Sequence, residues 1–241
     1  MIRVVIVGIG GKMGQTLVAA LSKEVDMRIV GGVECATHPM LGSMIGEGRV
    51  YSDLNDVIDR CDVVVEFASP EVTLKNIAIA ALKNKPFICG TTAHNNLNEI
   101  YKFQFQIPLL MAANFSIGIN AIYELLPNLL KLLSDFDIEI IEEHHRHKKD
   151  MPSGTAKRIA EIIQEAKGTK EPLKIHSIRA GEIVGEHRLI FVSSGERVEI
   201  MHQAINRNAF ANGVIKAIHF IVNQKPGLYT MADVLNSHNR K

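Results

Sequence analysis

The stretch RVVIVGIGGKMG, from Arg3 to Gly14, decides how this chain begins to fold. Its first half is a short, unbroken apolar run, which is the pattern of a parallel strand buried on both faces. Its second half is a glycine turn, and Gln15 to Lys23 beyond it reads as a helix with Leu17, Val18 and Leu21 inward. Strand, glycine turn and helix in that order predict a dinucleotide-binding βαβ unit.

Each glycine has a physical task in that reading. Gly8 permits the tight turn, Gly10 and Gly11 let the backbone approach a pyrophosphate, and Gly14 allows close helix packing. The helix start then offers N–H groups and a positive dipole end to phosphate. A glycine-rich turn can also be nothing more than a turn. Here a second strand, Met27 to Glu34, ends on an acidic residue twenty positions beyond Gly14, placed to accept from adenosine-ribose hydroxyls.

The alternation continues outward. DVVVEF (Asp62 to Phe67) is a strand, and Ser69-Pro70 opens a helix with Ser69 at the N-cap and Pro70 at the first helical position. Leu74, Ile77, Ala78, Ala81 and Leu82 form its apolar run, and PFICG and IPLLMAAN supply further strands. These βα units predict an α/β chain with a Rossmann-like, doubly wound parallel sheet. After Asn114 the rhythm changes. Ser116 to Leu133 reads as one helix, with Ile122, Leu125, Leu126, Leu129, Leu130 and Leu133 on its apolar side and Pro127 as a kink. IEIIEE (Ile138 to Glu143) is a strand, Thr155 to Lys167 an amphipathic helix, and HRLIFVSS with ERVEIMHQAI an antiparallel hairpin. A final helix covers about Asn208 to Asn223. The second half is thus expected to be an α+β domain with a mixed or antiparallel sheet.

Composition narrows the function classes. The 241 residues are 46% hydrophobic and 22% charged, with a formal charge of +1, so no global field recruits nucleic acid or an anionic membrane. The apolar run after Arg3 is too short for a signal peptide or a membrane span. Cys35, Cys61 and Cys89 form no CxxC pair or zinc pattern, and read as reduced thiols of a cytoplasmic protein.

A second chemical signal is HHRHKKDMPSGT, His144 to Thr155, which packs three histidines and three basic side chains into six residues. A solvated loop is one reading. Zinc is another, but adjacent histidines on an extended loop diverge, and no carboxylate or thiol completes a set, so no metal is expected. The functional reading is an acid and anion-binding unit. Histidine exchanges protons near neutral pH, and lysine donates one or holds a carboxylate. Ser153, Gly154 and Thr155 at the next helix start offer N–H groups and a hydroxyl to another carboxylate. A small dicarboxylate suits such a loop.

In order along the chain, GIGGKMG, FASPE, CGTT, MAANFSIG, IEEHHRHKKDMPSGTA, IRAGEIVGEH and FANG resemble the dihydrodipicolinate reductase family of the diaminopimelate route to lysine. The resemblance implies reduction of 4-hydroxy-tetrahydrodipicolinate to tetrahydrodipicolinate, with loss of water, by NADH or NADPH in a homotetramer. It makes His144 a proton donor or acceptor and Lys148 a proton donor, with His145, Gly154 and Thr155 on substrate carboxylates. Gly8, Ile9, Gly10, Gly11, Lys12, Met13 and Glu34 would bind the cofactor, joined by Gly90, Thr91 and Thr92 and by Ala112, Ala113, Asn114 and Phe115. It also implies a dinucleotide domain of residues 1–115 with 207–241, and a substrate-binding and oligomerisation domain of 116–206.

Two departures stand out. Cys35 follows Glu34 where the family often has Arg, and the stretch from Glu34 to Asp62 is short. The first implies that NADH serves at least as well as NADPH, because a carboxylate repels a 2′-phosphate unless a neighbouring cation offsets it. Lys12, in the glycine turn, and His38 are the alternative groups that could reach that phosphate, Lys12 the stronger of the two. The near-apolar segments HRLIFV and VEIM support an oligomer built on the second domain. Two rivals remain: another two-domain oxidoreductase such as an amino-acid dehydrogenase, and a non-catalytic dinucleotide sensor that needs the glycine turn but not His144 and Lys148 together.

Overall fold

The computed structural model describes residues 1–237, so residues 238–241 of the expected C-terminal segment lie outside the described residues. The chain divides into two compact units: Met1–Phe115 with the chain from Phe210 onward, and Ser116–Ala209. Arg207, Asn208 and Ala209 thus group with the second unit.

The first unit opens with β1 (Ile2–Val7), α1 (Lys12–Leu21), β2 (Met27–Val33), β3 (Met44–Ile45) and β4 (Gly48–Tyr51). It continues through β5 (Val63–Glu66), α2 (Pro70–Leu82), β6 (Phe87–Cys89), α3 (Leu97–Tyr101) and β7 (Pro108–Met111). The second unit holds α4 (Ile117–Leu132), β8 (Asp137–His144), α5 (Gly154–Lys167), β9 (Lys174–Arg179), β10 (Glu186–Val192) and β11 (Arg197–Gln203). The chain closes with α6 (Asn208–Ile221), β12 (Gly227–Tyr229) and α7 (Met231–Asn236).

In the first unit the strand order is β12-β7-β6-β5-β1-β2-β4-β3, parallel except for β3, which pairs antiparallel with β4. The order reverses at β1, which puts the switch point of a doubly wound sheet beside the glycine turn. The unbroken apolar run of β1 is explained by two cores. Val4 and Ile6 pack with Leu17, Leu21, Val214 and Ile218 on one face, and Val5 and Val7 with Ile58, Ile77 and Ala80 on the other. The first helix starts at Lys12 rather than Gln15 because Gly11 takes the N-cap. Ser69 is the N-cap of α2 with Pro70 next, but its hydroxyl caps no backbone N–H. Leu82, expected inward, is 82% exposed at the last residue of that helix.

The sheet of the second unit runs β11-β10-β8-β9, with β10 antiparallel to both neighbours and β9 parallel to β8, so it is mixed. Ser116 caps α4 by accepting from the Ile119 N–H, and the helix runs through Pro127. Leu125, expected on the apolar side, faces out. Ile138, Ile140, Leu189 and Phe191 form one sheet face and pack against Ile122, Leu126, Leu130, Ile159 and Ile163 of α4 and α5. The other face is not the near-apolar surface expected of the hairpin. Arg188 bridges Glu186 at 3.2 Å and Glu199 at 3.9 Å between Ile190 and Met201. Among the described residues, no helix is long and apolar enough to cross a membrane.

Candidate functional site

The C-terminal ends of β1, β2 and β5 surround a cavity of about 420 Å³, lined by Gly8, Gly10, Gly11, Glu34, Cys35, His38 and the Phe67–Ser69 turn, with Ser52, Asp53, Lys75 and Asn76 beyond. Gly8 has φ +78°, and a Cβ there would stand 2.3 Å from the Phe67 carbonyl oxygen, so only glycine fits. A Cβ at Gly14 would stand 2.3 Å from the Gly8 oxygen, which is how close α1 comes to the turn. Glu34 accepts from the Gly10 N–H at 2.9 Å and from the Cys35 N–H at 3.0 Å. Its carboxylate therefore stands at the lip of the turn. A backbone cradle, a helix start and a carboxylate around one cavity fit a nicotinamide dinucleotide.

Other residues expected here divide by role. Ile9 is fully buried in the core, and its carbonyl accepts from the Gln15 side chain at 2.8 Å. Lys12 and Met13 do not line the cavity; Lys12 is exposed, and Met13 packs against the core. Gly90, Thr91 and Thr92 follow β6, but the Thr91 hydroxyl is engaged with Glu66 and the Ala68 backbone. Glu66 is a fully buried carboxylate that accepts from Thr73 and, at 2.6 Å, from Asn76; burial pushes its carboxyl above the usual range. Ala112, Ala113 and Asn114 follow β7, while the Phe115 ring packs 5.4 Å from Phe67 in the core. Of the motif residues, Gly8, Gly10 and Gly11 line the cavity, and Ile9, Lys12 and Met13 do not. His38, which the sequence offered as a group able to reach a 2′-phosphate, lines the cavity, whereas Asp53, Lys75 and Asn76 were not singled out from sequence, since each lies on an element with no glycine signal.

In the second unit, a polar row crosses the helix-facing side of the sheet. Glu142 sits opposite His187 and beside Ser177, and His187 sits opposite His202. Two residues further along the strand, His144 pairs with Arg179. Glu142 is fully buried; one oxygen contacts His144 Nδ1, and the other accepts from Arg179 Nη2 at 2.7 Å. Burial works to raise its carboxyl, but the hydrogen bond from Arg179 and the charge of His144 hold it below the carboxylate range. For His144, burial outweighs the pull of Glu142, and Lys148 and Arg179 push the same way, so its pKa lies below the ordinary 6.5. His187 stands edge-on to His144 at 5.2 Å, and burial drives it down to about 3.

The loop after β8 carries Lys148, whose Nζ lies 2.8 Å from Asp150 Oδ1. Ser153 caps α5, which places Gly154 and Thr155 in its first turn beneath the positive end of the dipole. His145 lies between His144 and this loop, 6.3 Å ring to ring from His147. His144, His145, Lys148, Gly154 and Thr155 thus lie on one stretch of the second unit, from the end of β8 to the first turn of α5. It adds Glu142, Arg179, His187 and His202, which sequence reasoning missed. Glu142 also corrects the expectation that no carboxylate accompanies the histidines: its donor atom and those of His144 and His187 lie within 4.8 Å of one another. That carboxylate is already taken by His144 and by a guanidinium, whose charge opposes a cation, so the group reads as a proton network.

Comparison with known proteins covers both units. Residues 2–115 match the family model "Dihydrodipicolinate reductase, N-terminus", and 118–235 match "Dihydrodipicolinate reductase, C-terminus". A 4-hydroxy-tetrahydrodipicolinate reductase of Geotalea daltonii is 36% identical, with 98% of this chain and 99% of the relative covered. One of Syntrophus aciditrophicus is 38% identical, with 98% of each covered. A solved dipicolinate-bound dihydrodipicolinate reductase from Paenisporosarcina sp. TG-14 superposes with a TM-score of 0.80 at 26% identity, covering 95% of this chain and 97% of that one. Matched over both units and nearly end to end, the chain belongs to the dihydrodipicolinate reductase family.

Proposed function

We propose that His144 and Lys148 manage the protons of the reduction, with His145, Gly154 and Thr155 holding the substrate carboxylates. The chain is an NAD(P)H-dependent 4-hydroxy-tetrahydrodipicolinate reductase, an oxidoreductase of lysine and diaminopimelate biosynthesis. The nicotinamide, when bound, supplies the hydride. The observation that carries the assignment is the one loop that joins a buried histidine, a half-buried lysine and a helix N-terminus. His144, held below its ordinary pKa, is neutral at pH 7 and able to exchange a proton. Lys148 supplies a charge and a proton, and cations fixed in advance stabilise negative charge developing on the substrate. The first turn of α5 suits one carboxylate, and His145 with Lys148 a second. A relative that carries dipicolinate, a small dicarboxylate, supports that substrate class.

Gly8, Gly10, Gly11 and Glu34 would hold the dinucleotide, with Ile9, Lys12 and Met13 contributing backbone and helix start. The loops Gly90–Thr92 and Ala112–Phe115, at the ends of β6 and β7, would border it. NADH serves at least as well as NADPH in this reading, because Glu34 lies at the turn and Cys35 brings no cation. A homotetramer would form through the second sheet, whose exposed Ile178, Val192 and Met201 offer apolar contact. Reduced thiols suit the cytoplasm: all three cysteines are unpaired, and burial pushes Cys61 up to about 11 and Cys89 to about 12.

The test is nicotinamide oxidation started with freshly made 4-hydroxy-tetrahydrodipicolinate, comparing kcat/KM for both nucleotides in the wild type and in Cys35→Arg. The expected result is turnover with both, NADH at least equal, and a shift toward NADPH of about tenfold or more in the variant. A wild type that prefers NADPH, with no change in the variant, would overturn the reading of Glu34 and Cys35.

A further inference from the structure

We propose that Glu142 is a positioning residue for proton transfer: it holds His144 in the tautomer that leaves Nε2 as the working atom, and Arg179 ties it to the loop that carries Lys148. This rests on the assignment of His144 and Lys148 to the chemistry.

Glu142 and His144 are two residues apart on β8, so their side chains share the helix-facing side of the sheet. A carboxylate with no solvent exposure is costly unless both oxygens are paired. Both are: one with His144 Nδ1, the other with Arg179 Nη2. An ionised carboxylate only accepts, so the imidazole proton belongs on Nδ1 and the lone pair on Nε2. The space beside Nε2 is kept by Gly185, where a Cβ would stand 3.2 Å from that nitrogen.

Arg179 extends the arrangement. Its Nη2 also donates to the Asp150 backbone oxygen at 2.7 Å, and Asp150 Oδ1 binds Lys148 Nζ at 2.8 Å. A continuous line therefore runs from His144 through Glu142, Arg179 and Asp150 to Lys148. The groups facing His144 are Glu142 from its own strand, Arg179 from β9, Lys148 from the loop and His187 from β10. Glu142 is the one anion among them, so its removal leaves burial and two cations to disfavour the imidazolium. A carboxylate that merely clipped β8 to β9 would leave the tautomer and the pH profile unmoved.

The direct test uses the wild-type protein with ring-¹⁵N histidine, its His144 signals assigned by their loss in His144→Gln. Proton–nitrogen correlation is expected to show neutral His144 protonated at Nδ1; protonation at Nε2 overturns the proposal whether or not any Glu142 variant folds. In kinetics, Glu142→Gln is expected to lower kcat by ~10²- to 10⁴-fold, since its amide can donate to Nδ1 and reverse the tautomer. NADH affinity should stay within about threefold. The limb of the pH profile set by His144 should move to lower pH, and Glu142→Asp should restore part of the rate. A folded Glu142→Gln with kcat within about threefold of wild type and an unmoved limb overturns the proposal. Full activity in His144→Gln would instead remove the reading beneath it, whereas an inactive His144→Gln beside an unaffected Glu142→Gln removes the positioning role alone.

Discussion

His187 and His202 stand directly opposite each other on β10 and β11, and each reaches the N-cap serine of a different helix. His187 Nε2 lies 3.1 Å from Ser153 Oγ at the start of α5, and His202 Nε2 lies 2.9 Å from Ser116 Oγ at the start of α4. Burial holds both rings below their ordinary pKa, His187 at about 3. Two neutral dipoles thus fix two helix starts against one sheet. The proton transfers proposed for the site are therefore assigned to His144 and Lys148 and not to these two rings.

That neutrality has a measurable cost in acid. Folded His187 titrates near 3 against an ordinary 6.5. Between those values the unfolded chain binds the extra proton, so stability is fully present above 6.5 and is lost as pH falls toward 3. From pH 6.5 to 4.5 this group should remove roughly 2–3 kcal/mol, at about 1.4 kcal/mol per pH unit. Urea unfolding at both pH values should show a smaller loss in His187→Gln. Equal losses in the two proteins would mean that His187 is not held neutral.

Gly185→Ala should impair chemistry more than folding. The new Cβ would stand 3.2 Å from His144 Nε2 and 3.4 Å from Cδ2, close enough to move the ring by a few tenths of an ångström but short of a clash. A fall in kcat of about 10- to 100-fold is expected from such misplacement, with little change in Tm. An unchanged kcat would put the working nitrogen elsewhere.

Two glycines of the turn should separate stability from cofactor binding. Gly14→Ala places a Cβ 2.3 Å from the Gly8 oxygen and 2.6 Å from the Ile9 oxygen, and should cost ~1–3 kcal/mol. Gly11→Ala meets only the Gly8 oxygen, at 3.3 Å, yet Gly11 lines the cavity. It should keep its Tm and bind NADH more weakly. Thermal melts and NADH titration distinguish the two, and equal behaviour would contradict the roles given to them.

If the second sheet is the oligomer surface, Met201→Asp should dissociate the assembly. Met201 is 55% exposed on the outward face, next to Arg188 on β10. Sedimentation at micromolar concentration is expected to show a tetramer for the wild type and smaller species for the variant. A monomeric wild type would remove the proposal.

The parallel half was legible because Val4 to Val7 are apolar without a break, which only a strand buried on both faces requires. The strand β9 was missed because Lys174, His176, Ser177 and Arg179 dilute its pattern at the sheet edge. β12 spans three residues beyond the last expected helix. The loop from His144 to Thr155 announced itself by charge. Glu142, Arg179, His187 and His202 did not, since register across four strands, not spacing, brings them together. One signal was present for Glu142: it continues the inward phase of Ile138 and Ile140, where a carboxylate needs a partner.

The most direct test of the account compares turnover with NADH affinity in His144→Gln and Lys148→Met. With 4-hydroxy-tetrahydrodipicolinate as substrate, both variants should lose ~10²- to 10⁴-fold in kcat. Neither residue lies in the unit that carries the glycine turn, so NADH should bind both as it binds the wild type. Preserved turnover with lost NADH affinity would move both residues out of the chemistry and contradict the account.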